Sequence, residues 1–232
     1  MVSDFVNNKY LMLKSTESDI NEHLPTLYEY AKGCNTICEM GVRGAVSTWA
    51  FLSGMSSTTN KKTLYCVDLV EVPEASEIVR LGKEIGVDVI FLYEDSAKLK
   101  LPVPVDLLFI DTWHIYGHLK RELAAHEKNV TKYIIMHDTT VDGIHGESLR
   151  CNLDAKQQSI DSGYPLDEIT KGLQPAVDEF LEFHKGEWVV DNVWTNNNGL
   201  TVLRRKDVPH FELEPNSSAS LTQYFDKSGK QL

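Results

Sequence analysis

The sequence predicts a doubly wound, Rossmann-like α/β sheet of about seven strands, mostly parallel with a closing antiparallel hairpin. Three observations predict it. Short apolar runs rich in branched residues recur along the chain: TICEMGV, TLYCVDLV, VDVIFLYED, VDLLFID and KYIIMHD. They are continuous rather than alternating, as strands covered on both faces are. Helical patterns alternate with them, which favours parallel strands joined by crossovers. Finally, EWVVDNVW and LTVLRRK flank TNNNG, a turn composition that closes an antiparallel hairpin.

The helices follow in order. INEHLPTLYEYAKG precedes the first strand and ends at Gly33, and AVSTWAFLSGM joins strands one and two. EASEIVRLGKEIG leads into strand three, and IYGHLKRELAAHEKNV into strand five. PAVDEFLEFHKG has Pro175 near its start and Gly186 beyond its end, which is helix punctuation. Residues 139–174 break the rhythm. A connection of that length inside a compact domain is uncommon, so it is either a substrate lid or a loose surface loop. The domain is expected to span 1–210, with 211–232 a polar C-terminal tail.

Bulk properties narrow the function. A chain of 232 residues suits one large domain. A net charge of −11 argues against nucleic acid as the main partner. No apolar run reaches the ~18 residues of a membrane span, so no membrane partner is expected. MVSDFVNNKYLML lacks a basic segment before an apolar core, so no secretory leader is expected. Cys34, Cys38, Cys66 and Cys151 show no metal or redox spacing. They fit reduced thiols in a cytoplasmic protein.

The chemistry lies at the strand ends. In a doubly wound sheet, ligands bind beyond the carboxyl ends of the strands. The turn EMGVRGAVST offers Gly41 for a positive φ and Gly44 for close backbone approach. Backbone N–H groups opening the next helix, near Ser47, favour an anionic group. Four successive strands end in an acid: Glu39, Asp68, Asp95 and Asp111. One such acid is a solvated strand end; four on one edge point to a shared site. A carboxylate at Asp68 can accept both hydroxyls of a ribose.

This pattern resembles the class I S-adenosylmethionine-dependent methyltransferases over about residues 20 to 205. EMGVRGAVST is similar to the E-I-G-x-x-x-G-x-S-T motif of the sugar and antibiotic O-methyltransferase branch, with its glycines one residue closer together. The resemblance implies that Glu39, Gly41, Gly44 and Ser47 surround the methionine end of S-adenosyl-L-methionine. It places Asp68 at the ribose, Asp95 and Ser96 at the adenine, and Asp111 beside the cofactor. FIDTWHIY resembles the I-D-G-D-H-S-Y motif of cephalosporin hydroxylase-like proteins and of rhamnosyl and macrolide sugar O-methyltransferases. YIIMHDTT resembles their strand-five H-D-T. The resemblance implies a divalent cation, Mg or Mn, held by Asp111 and Asp138, with His137 as a third ligand.

His137 and Asp138 are adjacent, so regular strand geometry would turn them to opposite faces. Asp138 is therefore the stronger ligand candidate. His114 is the expected general base, because an imidazole titrates near neutrality; a cap of the following helix is the plainer role. Trp113 stands where relatives carry an acid. With Tyr116 it could form an apolar platform for a sugar ring, or simply pack. His145, Glu147 and Arg150 are candidate acceptor contacts, or ordinary loop residues. His118 and His126 fall on the helix pattern and are expected at the surface.

The expected function is a metal-assisted O-methyltransferase acting on a sugar hydroxyl, such as a rhamnose-like residue of a glycan or glycoside. Its partner is a small-molecule or glycan acceptor, and it acts as a homo-oligomer or as one domain of a larger glycan-assembly protein. The rivals are a catechol or small-diol O-methyltransferase and a catalytically silent cofactor-binding domain. An NAD-dependent dehydrogenase is disfavoured, since GVRG is no G-x-G-x-x-G loop.

Overall fold

The computed structural model describes residues 2–56 and 61–212. Seven strands form one sheet: β1 Thr36–Met40, β2 Lys62–Asp68, β3 Val87–Tyr93, β4 Val105–Ile110, β5 Val130–His137, β6 Trp188–Trp194 and β7 Leu200–Arg205. Their spatial order is β3-β2-β1-β4-β5-β7-β6. Strands β1 to β5 pair in parallel, and β7 runs antiparallel between β5 and β6. The predicted fold class therefore holds, closing hairpin included.

Alternate strand residues supply two cores, which is why the runs are continuously apolar. Ile37 and Leu64 face one core, built with α1 Val2–Lys14, α2 Leu24–Lys32, α3 Val46–Ser56 and α4 Ala75–Glu84. Cys38, Met40 and Val67 face the other, built with α5 Tyr116–His126 and, late in the chain, a helix at Gln174–Phe183. The edge strand β3 alternates buried and exposed at its start, as a half-covered strand does. Helix α1 is not announced by the sequence. It buries only Val6 and Tyr10 while leaving Phe5 and Met12 about half exposed, so no single apolar stripe marks it.

Residues 139–174 are neither shapeless nor long-range. They hold α6 Glu147–Arg150, α7 Ala155–Ser162 and α8 Leu166–Thr170, before α9 Gln174–Phe183 begins. A bridge between His145 and Lys171 ties the two ends of the segment together. No helix among the described residues is long and apolar enough to cross a membrane. Of the expected polar tail, residues 213–232 lie outside the described residues.

Glu39 shows how the first strand is fastened to its helix. Its side chain is fully buried and accepts hydrogen bonds from the hydroxyls of Ser47 and of Thr48, the latter at 2.7 Å. Burial pushes its carboxyl up to about 7, against the opposing pull of those two hydroxyls. The folded state therefore keeps the proton that the unfolded chain loses near pH 4.5. Stability from this group is fully present below pH 4.5 and is lost as pH rises towards 7. The neutral variant Glu39→Gln is expected to lose this dependence. Thermal melts of both proteins from pH 5 to 8 should diverge, with the variant gaining on the wild type as pH rises. Parallel curves would show that Glu39 does not titrate in this range.

Candidate active site

The chain leaves β1 in opposite directions on either side, so the carboxyl ends of β1 and β4 open a crevice. The β1–α3 turn lines it. Gly41 has φ +85°, and an added Cβ would lie 1.9 Å from the Asp111 carbonyl oxygen, so only glycine fits. A Cβ at Gly44 would meet nothing within 4 Å, so the backbone there faces open space. Besides Gly41, positive φ values fall on Arg43 and Ala45, at 46° and 58°. Asp68 holds this turn, accepting from the Val42 and Arg43 amides at 2.9 and 2.8 Å. Two cavities meet here. The larger, about 580 Å³, is lined by Gly41, Asp68, Asp95, Ser96 and Trp113 among others. The smaller, about 250 Å³, is lined by Asp19, Ser47, Asp138 and Glu147 among others. Both share Gly41, Arg43, Asp111 and Thr112.

Where the cavities meet, acids surround two imidazoles. His114 Nε2 lies 3.1 Å from Asp111 Oδ1 and 3.1 Å from Asp138 Oδ2. Its Nδ1 lies 3.1 Å from Glu147 Oε2 and 3.4 Å from Asp142 Oδ2. His137 Nδ1 faces the same pair as His114 Nε2, at 3.4 Å from Asp111 and 3.3 Å from Asp138. Its Nε2 lies 3.1 Å from the Asn197 carbonyl, to which it can only donate. Burial alone would lower both histidines, but the carboxylates override it. His137 is pushed up to about 10 and His114 well above its ordinary value. Asp111 is half-buried, and against that desolvation the two imidazoles hold its carboxyl below the usual carboxylate range. Asp142, fully buried, is clamped by Arg150 through two bonds of 2.6 and 2.8 Å.

Several expectations need correction. His137 and Asp138 do not face opposite ways, because β5 ends at His137 and Asp138 turns left-handed, with φ 57°. That turn brings its carboxylate back beside His137 Nδ1. His114 is not a free base, since each of its ring nitrogens faces a pair of carboxylates. Glu39 lines neither cavity, being sealed under the turn it fastens. Ser47 lines the smaller cavity while donating its hydroxyl to Glu39. Tyr116 is no platform: it is buried against α9 and donates its hydroxyl to Glu179. His145 is exposed and lines neither cavity. Trp113 lines the larger cavity rather than the smaller. His118 and His126 are buried, not at the surface.

Other residues were invisible in the sequence. Glu122, fully buried on α5, accepts from Ser96 at 2.6 Å and from Thr112 at 2.9 Å, and so ties the β3 and β4 ends together. Its position one turn after His118 was the only signal, and it looked like an exposed helix face. Asp142 carried no signal, and Arg150, a candidate acceptor contact in the sequence, pairs instead with that buried acid eight residues earlier.

No family model and no curated protein matches the chain. Among solved structures it is similar to 1,6-didemethyltoxoflavin-N1-methyltransferase from Burkholderia thailandensis, solved with S-adenosylhomocysteine, at a TM-score of 0.52 and 15% identity over 88% of this chain and 86% of that one. It is also similar to an O-methyltransferase family protein from the same organism, at a TM-score of 0.52 and 10% identity over 80% of this chain and 55% of that one. The chain thus has the fold of the class I S-adenosylmethionine-dependent methyltransferases. The two glycines of the turn give opposite expectations. Gly41→Ala should cost both stability and cofactor-analogue binding, because backbone would have to move. Gly44→Ala should retain both. Melting curves and S-adenosylhomocysteine titrations of the two variants check this, and equal behaviour would contradict it.

Proposed function

We propose that the protein is an S-adenosylmethionine-dependent O-methyltransferase that methylates a sugar hydroxyl with the help of a divalent cation. The observation that carries this reading is the meeting of two unlike cavities at Asp111. The larger has strand-end carboxylates suited to a nucleoside; the smaller is lined by acids. A methyl donor in one and a hydroxyl in the other would meet over the Gly41–Asp111 contact, as in-line transfer requires. Asp68, Asp95 and Ser96 would hold the ribose and adenine.

The residues present fit a cation. Asp111, Asp138 and His114 Nε2 converge, His137 Nδ1 lies beside the two carboxylates, and the far nitrogens are held by Glu147 and the Asn197 carbonyl. Such outer partners fix an imidazole with its lone pair turned inward. Asp138 Oδ1 is buried without a hydrogen-bond partner. A mixed carboxylate and imidazole set favours Mn²⁺, Fe²⁺ or Zn²⁺ over Mg²⁺. The cation would lower the pKa of a bound hydroxyl. That help is needed, because Asp111, Asp142 and Glu147 are all held low and are weak bases. A carboxylate of the cluster would take the proton as the hydroxyl oxygen bonds to the sulfonium methyl, the methyl carbon–sulfur bond breaks and S-adenosylhomocysteine leaves.

The same acids would serve a catechol. Among the described residues the smaller cavity has no Phe, Tyr or Trp in its lining, however, and so offers hydroxyl partners rather than a stacking face. S-adenosylmethionine should bind in calorimetry and NAD should not. Asp68→Ala should weaken that binding at least ~10-fold, or about 1.4 kcal/mol. Asp138→Ala should keep cofactor binding and lose methyl transfer to sugar acceptors. Preferential NAD binding, or a fully active Asp138→Ala enzyme, would overturn the proposal.

A further inference from the structure

We infer that α7 and Tyr164 form a flap over the larger cavity, so that the cofactor enters and its product leaves only when the flap lifts. This rests on the assignment of that cavity to S-adenosylmethionine. The segment after β5 would then belong to the cofactor rather than serving as the acceptor lid expected from the sequence.

The segment is built to move as a piece. From residue 149 to residue 168 no side chain is buried; Ser148 and Ile169 are the buried residues on either side. Helix α7 is capped within itself. Asp154 accepts from the Lys156 and Gln157 amides, and Gly163 closes the other end with φ 74°. A helix whose ends are satisfied locally can lift without exposing orphaned backbone groups. Its apolar Ile160 is 75% exposed, so little burial holds it down.

One side chain latches it. Tyr164 stacks on Trp113 with ring centroids 5.9 Å apart and planes 20° from parallel. The Arg121 guanidinium lies 4.0 Å from its ring centroid. Its hydroxyl is 3.2 Å from His118 Nδ1. Asp161, Ser162 and Tyr164 line the same cavity as Asp68 and Asp95, so the flap borders the space in which the nucleoside would lie. The outer anchors are ion pairs: Arg150 with Asp142 at one end and Arg121 with Glu168 at the other, both 2.6 Å. The hinges therefore stay fixed while the middle moves.

The experiment is stopped-flow exchange of S-adenosylhomocysteine with the intact chain and the variants Tyr164→Ala and Tyr164→Phe. A flap predicts that Tyr164→Ala raises both the association and the dissociation rate, each by about ten-fold, the scale set by one lost aromatic contact. Tyr164→Phe keeps the stack and should stay near wild-type rates, with all three proteins melting alike. A rise in dissociation alone would make Tyr164 a mere contact and overturn the flap, as would unchanged rates. A wild-type protein that does not bind S-adenosylhomocysteine would be a separate failure, that of the cofactor assignment itself.

Discussion

The electrostatics around His114 constrain the rest of the structure. Asp111, Asp138, Asp142 and Glu147 all lie within 3.4 Å of its ring nitrogens. Four carboxylates at that range repel one another strongly in a partly desolvated crevice. They can coexist only around positive charge, supplied by the two imidazoles and Arg150 or by a bound cation. The cluster is also contributed by separate elements: the end of β4, the turn after β5, and the start of α6. Its charge balance therefore helps to hold those elements in register.

The fold supplies this convergence through a few backbone positions that sequence rules disfavour. Asp138 adopts a left-handed conformation that a strand would not continue. The β6–β7 turn carries three positive φ values in succession, at Asn197, Asn198 and Gly199. That turn presents the Asn197 carbonyl to His137 and to the buried His23, and the Asn198 carbonyl to the amides after Asp138. Strain at such positions persists where surrounding contacts over-determine it, and it gathers at functional sites. The closing hairpin is thus more than an edge; it braces the site from behind.

Much of this was legible in the sequence. The strands announced themselves because alternate residues feed two cores, and the strand-end acids fell on one edge because parallel strands share a direction. Asp111 was legible as chemistry for that reason, Asp138 through the resemblance of YIIMHDTT to a strand-five motif, and Glu147 only as a polar residue of the long segment. What was hidden came from tertiary geometry. Nothing local marks the left-handed turn at Asp138, which reverses the expected divergence from His137. Glu39 looked like a ligand contact because its position matches a motif, but its hydroxyl partners on α3 draw it under the turn. Glu122, His118 and His126 share the buried side of a helix with Leu119 and Leu123, and hydrophobic periodicity finds the leucines but not the polar members. Tyr164 lies far from every motif and reaches the cavity only because the segment after β5 folds back.

The account centres on the carboxylate–imidazole cluster as a cation site. Titration of the chelator-treated protein with Mn²⁺, followed by electron paramagnetic resonance, tests it most directly. The account predicts saturable binding of one ion per chain, lost in Asp111→Asn while S-adenosylhomocysteine still binds. No saturable binding, or binding indifferent to Asp111→Asn, would mean that the imidazoles alone balance the acids, and the metal-assisted chemistry would fall with it.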